Sequence, residues 1–182
     1  MAIEPEDRKE LIALARQAVE SAVAHLRPPR PRRTTGVLGQ MRGCFVTLTN
    51  KGALRGCIGT FQPERPLAEM IVEMGRAAAR DGRFVSNPIT PAELPHLTVE
   101  VSVLSPLEQT REPEKLEVGK HGIYVTSGFS SGCFLPEVAT DQGWNAVEFL
   151  SYCCSHKAGL PPDAWRMPDT SVYLFTSEKF DS

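Results

Sequence analysis

Cys57 and Arg55 are the residues of this chain best suited to chemistry, set two apart in the run Leu54-Arg55-Gly56-Cys57-Ile58-Gly59. Alternation along a strand puts Leu54, Gly56 and Ile58 on one face and Arg55, Cys57 and Gly59 on the other. The apolar pair then enters a core while guanidinium and thiol project together. A neighbouring cation favours thiolate over thiol and draws a cysteine below its free pKa of about 8.5. Gly56 and Gly59 leave room for another backbone or a ligand to approach the strand closely. The competing reading is a core strand with an inert thiol, since free cysteine is among the most buried residue types.

Two classes of function use these residues differently. In a thiol-dependent enzyme, Cys57 is the nucleophile or redox group, Arg55 its thiolate stabiliser or an anion clamp, and His121 or Glu100 the general base. In a binding protein, the hexapeptide is the wall of a groove that receives a partner's peptide, a nucleotide or a modified residue. Arg55 then offers a bidentate contact to carboxylate or phosphate. The bland alternatives are an exposed His121 at a strand start and a solvated Glu100 on the polar face of its strand.

Other constellations carry less. Cys57, Cys133, Cys153, Cys154 and His156 show no C-x-x-C spacing, and residues two apart on a helix point different ways, so no metal site is expected. Gly128-Phe129-Ser130-Ser131-Gly132 matches the G-x-S-x-G hydrolase elbow, with Asp141 and His156 following in order. An elbow needs a helix directly after the turn, whereas Cys133-Phe134-Leu135-Pro136 reads as extended, so a glycine-rich hairpin turn is the expectation. No nucleotide loop or cofactor motif appears, which leaves the cofactor unknown.

A chain of 182 residues suits one domain or two small subdomains sharing a core. A net charge of -2 makes nucleic acid an improbable obligatory partner. Nucleic-acid binding would lean on the basic run Arg27-Pro28-Pro29-Arg30-Pro31-Arg32-Arg33, a stiff connector able to touch phosphate, and on Arg76, Arg80 and Arg83. In a chain of net negative charge the latter spacing reads first as a solvated helix edge. Five cysteines, odd in number, read as reduced thiols. The start of the chain has no basic flank and apolar core, and no apolar run approaches the roughly 18 residues of a membrane span. A cytoplasmic location without membrane association is the expectation.

Around the hexapeptide the elements follow from periodicity. A helix from Pro5 carries Leu11, Leu14, Ala15, Ala18, Val19, Ala22 and Leu26 on one stripe. Strands at 43–48 and 53–59 are joined through Asn50-Lys51-Gly52 as a hairpin. A second amphipathic helix begins at Pro66 and ends at Asp81-Gly82. Thr90-Pro91-Ala92-Glu93 has the pattern of a capping box. The alternating strand 97–104 puts Glu100 on its polar face. Residues 109–120 read as loop with room for one helical turn, strands at about 121–126 and 132–135 flank the glycine-rich turn, and 136–140 form a short helical turn. A helix capped by Asn145 and Glu148, with Trp144 and Phe149 as a staple, runs through His156. A last strand covers 171–176.

The ordered motifs LRGCIG, ARDGRF at 79–84, VEVSVLSP at 99–106, GKHGI at 119–123, SGCFLPEVA at 131–139 and KAGLP at 157–161 together resemble the AMMECR-one domain family. The resemblance spans about residue 10 to the C-terminus. Gly82 stands where the family often has Pro, and Cys133 and Phe134 where it often has Leu. The resemblance implies one α+β domain of two subdomains, each an antiparallel sheet with helices, with a cleft between them. The larger would comprise 1–108 with 166–182 and the smaller 109–165. Carried over, it implies a site of Arg55, Gly56, Cys57 and Gly59, joined by Glu100, His121 and Ser131. It also implies a Memo-like protein and a radical SAM protein as partners. It names no reaction, so the expected role is that of an accessory or binding component, with thiol catalysis and nucleotide or nucleic-acid binding as alternatives.

Overall fold

The computed structural model describes residues 2–182, and the chain is an α+β protein with two four-stranded antiparallel sheets. It divides into two compact units, one running to Leu104 and completed by Glu178–Ser182, the other Ser105–Ser177.

In the first unit Pro5 opens helix α1, Pro5–Val23, with Glu6 and Asp7 complementing the positive end of its dipole. Its stripe buries Leu11, Leu14, Ala15, Ala18 and Val19. The expected stripe ran one turn further. The helix instead stops at Val23, His25 takes φ 56°, and Leu26 is 64% exposed. Strand β1, Cys44–Asn50, and strand β2, Ala53–Thr60, form the expected hairpin. Lys51 and Gly52 both sit at positive φ in its two-residue turn, the conformation that matches strand twist. Helix α2, Leu67–Ala78, buries Leu67, Met70, Ile71 and Met74 and meets α1 where Gly75 lies against Ala15 and Ala18. Strand β3, Leu97–Leu104, pairs with β1.

The sheet order is β2-β1-β3-β8, where β8 is Ser177–Asp181. Val46, Leu48, Val99 and Val101 point into one core with both helices. Thr47, Glu100 and their row-mates take the other face, and β2 is a free edge.

In the second unit strands β4, Glu108–Thr110, β5, Gly122–Ser127, β6, Ser130–Phe134, and β7, Ser171–Phe175, are ordered β4-β7-β5-β6. Its core gathers Ile123, Val125, Phe149, Leu150 and Trp165 beneath helices α3, Pro136–Gln142, and α4, Ala146–Tyr152. The capping box of Asn145 and Glu148 is formed. Trp144 lies against Phe134 and Tyr152, and Phe134 in turn stacks on Phe149. After Tyr152 the backbone widens into a π-helical turn over Cys153–Lys157 rather than continuing as α-helix through His156.

Residues 166–177 belong to this second unit, because β7 pairs with both β4 and β5. The family resemblance implies the larger subdomain for them instead. Strand β6 also begins at Ser130, two residues earlier than expected, so Ser130 and Ser131 are strand residues opposite Ser127 and Thr126. No helix follows Ser130 directly, which removes the hydrolase-elbow geometry. Among the described residues no helix is long and apolar enough to cross a membrane.

Candidate functional site

The hexapeptide lies on β2, and its register is broken by one extra residue. Leu48 pairs with Gly56 but Thr49 pairs with Leu54, so Arg55 is bulged out of the ladder. The bulge cancels part of the simple alternation. Gly56 and Ile58 face the helices as expected, while Leu54 leaves the core and is 40% exposed.

Arg55 is buried, and its guanidinium is held through Nε and Nη2 by groups from later in the chain. Nε donates to Glu93 Oε1 at 2.5 Å, and Nη2 donates to Glu93 Oε2 at 3.1 Å and to the Asn87 carbonyl at 3.0 Å. The ring of Phe84 lies 5.7 Å from the Arg55 guanidinium carbon and 5.8 Å from that of Arg83. The Arg55 guanidinium holds the Glu93 carboxyl below the usual carboxylate range, with help from Asn50 and the Thr90 backbone. The Thr90 side chain makes no cap bond, so the glutamate of that capping pattern acts as Arg55's counter-ion.

Cys57 occupies a different environment from its neighbour two residues away. It pairs with Thr47, whose Oγ1 donates to Cys57 Sγ at 3.2 Å. Its backbone groups point outward from the free edge of the sheet, where the ARDGRF segment caps them. Asp81 accepts the Cys57 N–H at 3.0 Å and Arg83 Nη2 donates to the Cys57 carbonyl at 3.1 Å. The same Asp81 carboxylate, only 3% exposed, accepts from the Arg83 backbone and guanidinium. Those bonds hold the Asp81 carboxyl well below the usual range. The cation bonded directly to Cys57 is thus Arg83, through the Cys57 carbonyl, while Arg55 is paired with Glu93.

The glycines of the motif serve the chain's own packing. A Cβ on Gly56 would collide with the Ala78 carbonyl at the end of α2, and one on Gly59 with the ring of Phe45. The space read from sequence as room for a backbone or ligand is filled by these groups.

Glu100 shares a cross-strand row with Cys57, since Thr47 pairs with both, and lies 3.8 Å from Lys179 Nζ. His121 and Ser131 belong to the second unit. His121 Nδ1 accepts the Glu117 N–H at 2.9 Å, and Ser131 is an exposed residue of β6. Of the expected site residues, the first unit thus brings Cys57 and Glu100 into one row across Thr47 and pairs Arg55 with Glu93.

An open depression of ≈ 740 Å³ adjoins the bulge, with Arg55 and Glu93 in its floor and Asn50, Lys51, Leu54 and Phe84 around it. Sequence reasoning missed Glu93, Phe84, Asp81 and Arg83 as members of the site. The recurrence of Asp81 and Arg83 within a family motif was the one available signal.

Burial pushes the other thiols up, Cys44 to about 12 and Cys133 to about 11, with Cys153 and Cys154 also raised. Among the described residues no cluster of three or more His, Cys, Asp or Glu side chains is placed to hold a metal ion.

The AMMECR1 family profile matches residues 12–180, nearly the whole chain. The chain belongs to the AMMECR1 family. It is 45% identical over 183 residues to Protein TK0174 of Thermococcus kodakarensis, covering 94% of this chain and 88% of that one. A protein of Methanothermobacter thermautotrophicus is 42% identical over 186 residues, covering 96% and 94% of the two chains. The crystal structure of Uncharacterized Protein PH0010 from Pyrococcus horikoshii superposes with a TM-score of 0.83 at 40% identity, covering 99% of this chain and 93% of that one. These names state no activity, so the AMMECR1 relationship carries the fold and leaves the chemistry to the residues.

Proposed function

We propose that this AMMECR1 protein is a binding or accessory component whose recognition surface is the depression beside the β2 bulge. The observation that carries the reading is the Arg55–Glu93 pair. The motif's most distinctive cation is committed to shaping a ligand-sized hollow instead of standing beside the thiol. The hydrogen bonds of Cys57 run to Thr47, Asp81 and Arg83, of which Thr47 is no base and Asp81 is occupied by backbone and guanidinium donors. The Memo-like and radical SAM proteins implied by the family resemblance are the proposed partners, met in the cytoplasm, where five unpaired thiols are at home.

The test is binding of those two purified proteins to variants of the exposed rim. Leu54→Asp and Lys51→Glu should abolish complex formation, and Cys57→Ser should leave it intact. Retention of binding by both rim variants rejects the reading.

The second reading, a thiol-dependent enzyme, is favoured by the half-exposed Cys57 with Arg83 beside it. It requires Cys57→Ser to abolish function as completely as any rim change. Nucleic-acid binding loses one of its two supports. Arg80 donates to the Ala22 carbonyl in the last turn of α1, Arg76 to the Leu26 carbonyl just beyond it, and Arg83 holds Asp81.

A further inference from the structure

Nearly every arginine of the first unit has a carboxylate, hydroxyl or carbonyl partner. Arg8 reaches Glu178, Arg16 the Leu97 carbonyl, Arg42 the Leu104 carbonyl, and Arg65 Glu73. The exceptions among the described residues are Arg27, Arg30 and Arg32, all in the proline-rich connector after α1. There Pro28, Pro29 and Pro31 fix φ and hold the chain extended. Its end is fastened, since the Arg33 guanidinium binds Asp7 and Glu10 of α1. A pocket of ≈ 450 Å³ lies between connector and helix.

Two features give this pocket a chemical preference. Its helix wall is the face Glu10, Ala13, Leu14 and Gln17, at the i, i+3, i+4, i+7 spacing of one stripe. The Glu10 carboxylate on that wall is held by Arg33, which leaves an apolar floor of Ala13 and Leu14 and an amide from Gln17. The opposite wall is formed by Arg30 and Arg32, both exposed and, among the described residues, without a hydrogen-bond or ion-pair partner. Planar guanidinium forks suit phosphate oxygens, and a stiff backbone lowers the entropy lost when they are fixed.

We propose that the pocket between α1 and the Arg30–Arg33 connector binds a phosphate monoester carrying an apolar group, with Arg30 and Arg32 on the phosphate and Ala13 and Leu14 beneath the apolar part. Arg33 is a positioning residue that pins the connector to the helix. This site lies on the helix side of the first unit's sheet and does not depend on the depression at Arg55.

Calorimetric titration of the full chain with phenyl phosphate and with inorganic phosphate tests it. Phenyl phosphate should bind at one site, about tenfold more tightly than phosphate because the ring is buried. Arg30→Ala with Arg32→Ala should weaken it by about tenfold or more. The melting temperature should stay unchanged, since both side chains are exposed and neither has an ion pair or hydrogen bond to lose. Ala13→Glu, which puts a carboxylate on the floor, should weaken binding as well. Equal affinity in wild type and both variants would overturn the proposal. So would binding of single-stranded oligonucleotides with no binding of either small probe, which would make the connector a polyanion contact instead.

Discussion

The two edge strands that carry a half-buried cysteine, β2 with Cys57 and β6 with Cys133, solve the same packing problem with different chemistry. Each lets a helix end approach through a glycine. Gly56 admits the Ala78 carbonyl at the end of α2, and Gly132 admits the backbone at Lys157 and Ala158 in the π-helical turn. The β5–β6 register is regular, and among the described residues no ion pair braces it. Strand β2 instead bulges at Arg55, and two ion pairs, Arg55–Glu93 and Arg83–Asp81, fasten it from outside. The charges of the LRGCIG and ARDGRF motifs are thus first of all a brace for one irregular edge strand. That brace keeps outward-facing backbone groups at Cys57 from pairing with another chain.

The largest expected effect is one the two strands share. Gly56→Val and Gly132→Val each drive a side chain into backbone and should cost about 3 kcal/mol or more, read as loss of cooperative unfolding. If Gly132→Val were benign, the parallel between the strands would fail.

The next separates them. Glu93→Gln leaves the Arg55 guanidinium buried without its counter-ion and should cost about 3 kcal/mol in chemical denaturation. No single charge removal around β6 should approach this.

A smaller effect, about 2 kcal/mol, is expected for Asp81→Asn, which weakens the cap on the Cys57 N–H and frees Arg83. The Asp81 carboxyl ionises more readily in the folded chain than in the unfolded one. Its contribution is therefore complete above the unfolded value of about 4 and drains as the pH falls toward the folded value. Wild type should lose stability below about pH 4 more steeply than Asp81→Asn, and coincident acid limbs would show that Asp81 is no brace.

Smallest of all, Cys57→Ser and Cys133→Ser should each shift stability by about 0.5 kcal/mol, because both thiols are only partly buried.

The sequence made the regular parts of this architecture legible and left the irregular ones obscure, for physical reasons. Hairpin β1–β2, helix α2 and strand β3 follow from periodicity because burial on one face is a local signal. The bulge does not, since it exists only as a mismatch between Thr49–Leu54 and Leu48–Gly56 across two strands. Strands β4 and β8 are short and polar, and they form because β7 and β3 offer them an edge. At the candidate site, Cys57 and Arg55 were found by residue type. Glu93 was read as a helix cap because nothing local shows that Arg55, thirty-eight positions earlier, would claim its carboxylate. Similarly, Arg76 and Arg80 read as a solvated edge, and Arg80 is exposed, but nothing local shows that both also donate to carbonyls at and just beyond the end of α1.

Arg55 serves Glu93 and the depression rather than the thiol, and the alkylation rate of Cys57 across about pH 5 to 10 tests that most directly. Iodoacetamide labelling mapped by mass spectrometry would compare wild type with the double variant Arg55→Met, Glu93→Leu, which removes both charges and leaves neither buried alone. The same pH midpoint in both proteins is the predicted result. A midpoint that rises when the pair is removed would show Arg55 stabilising the Cys57 thiolate and would contradict the account.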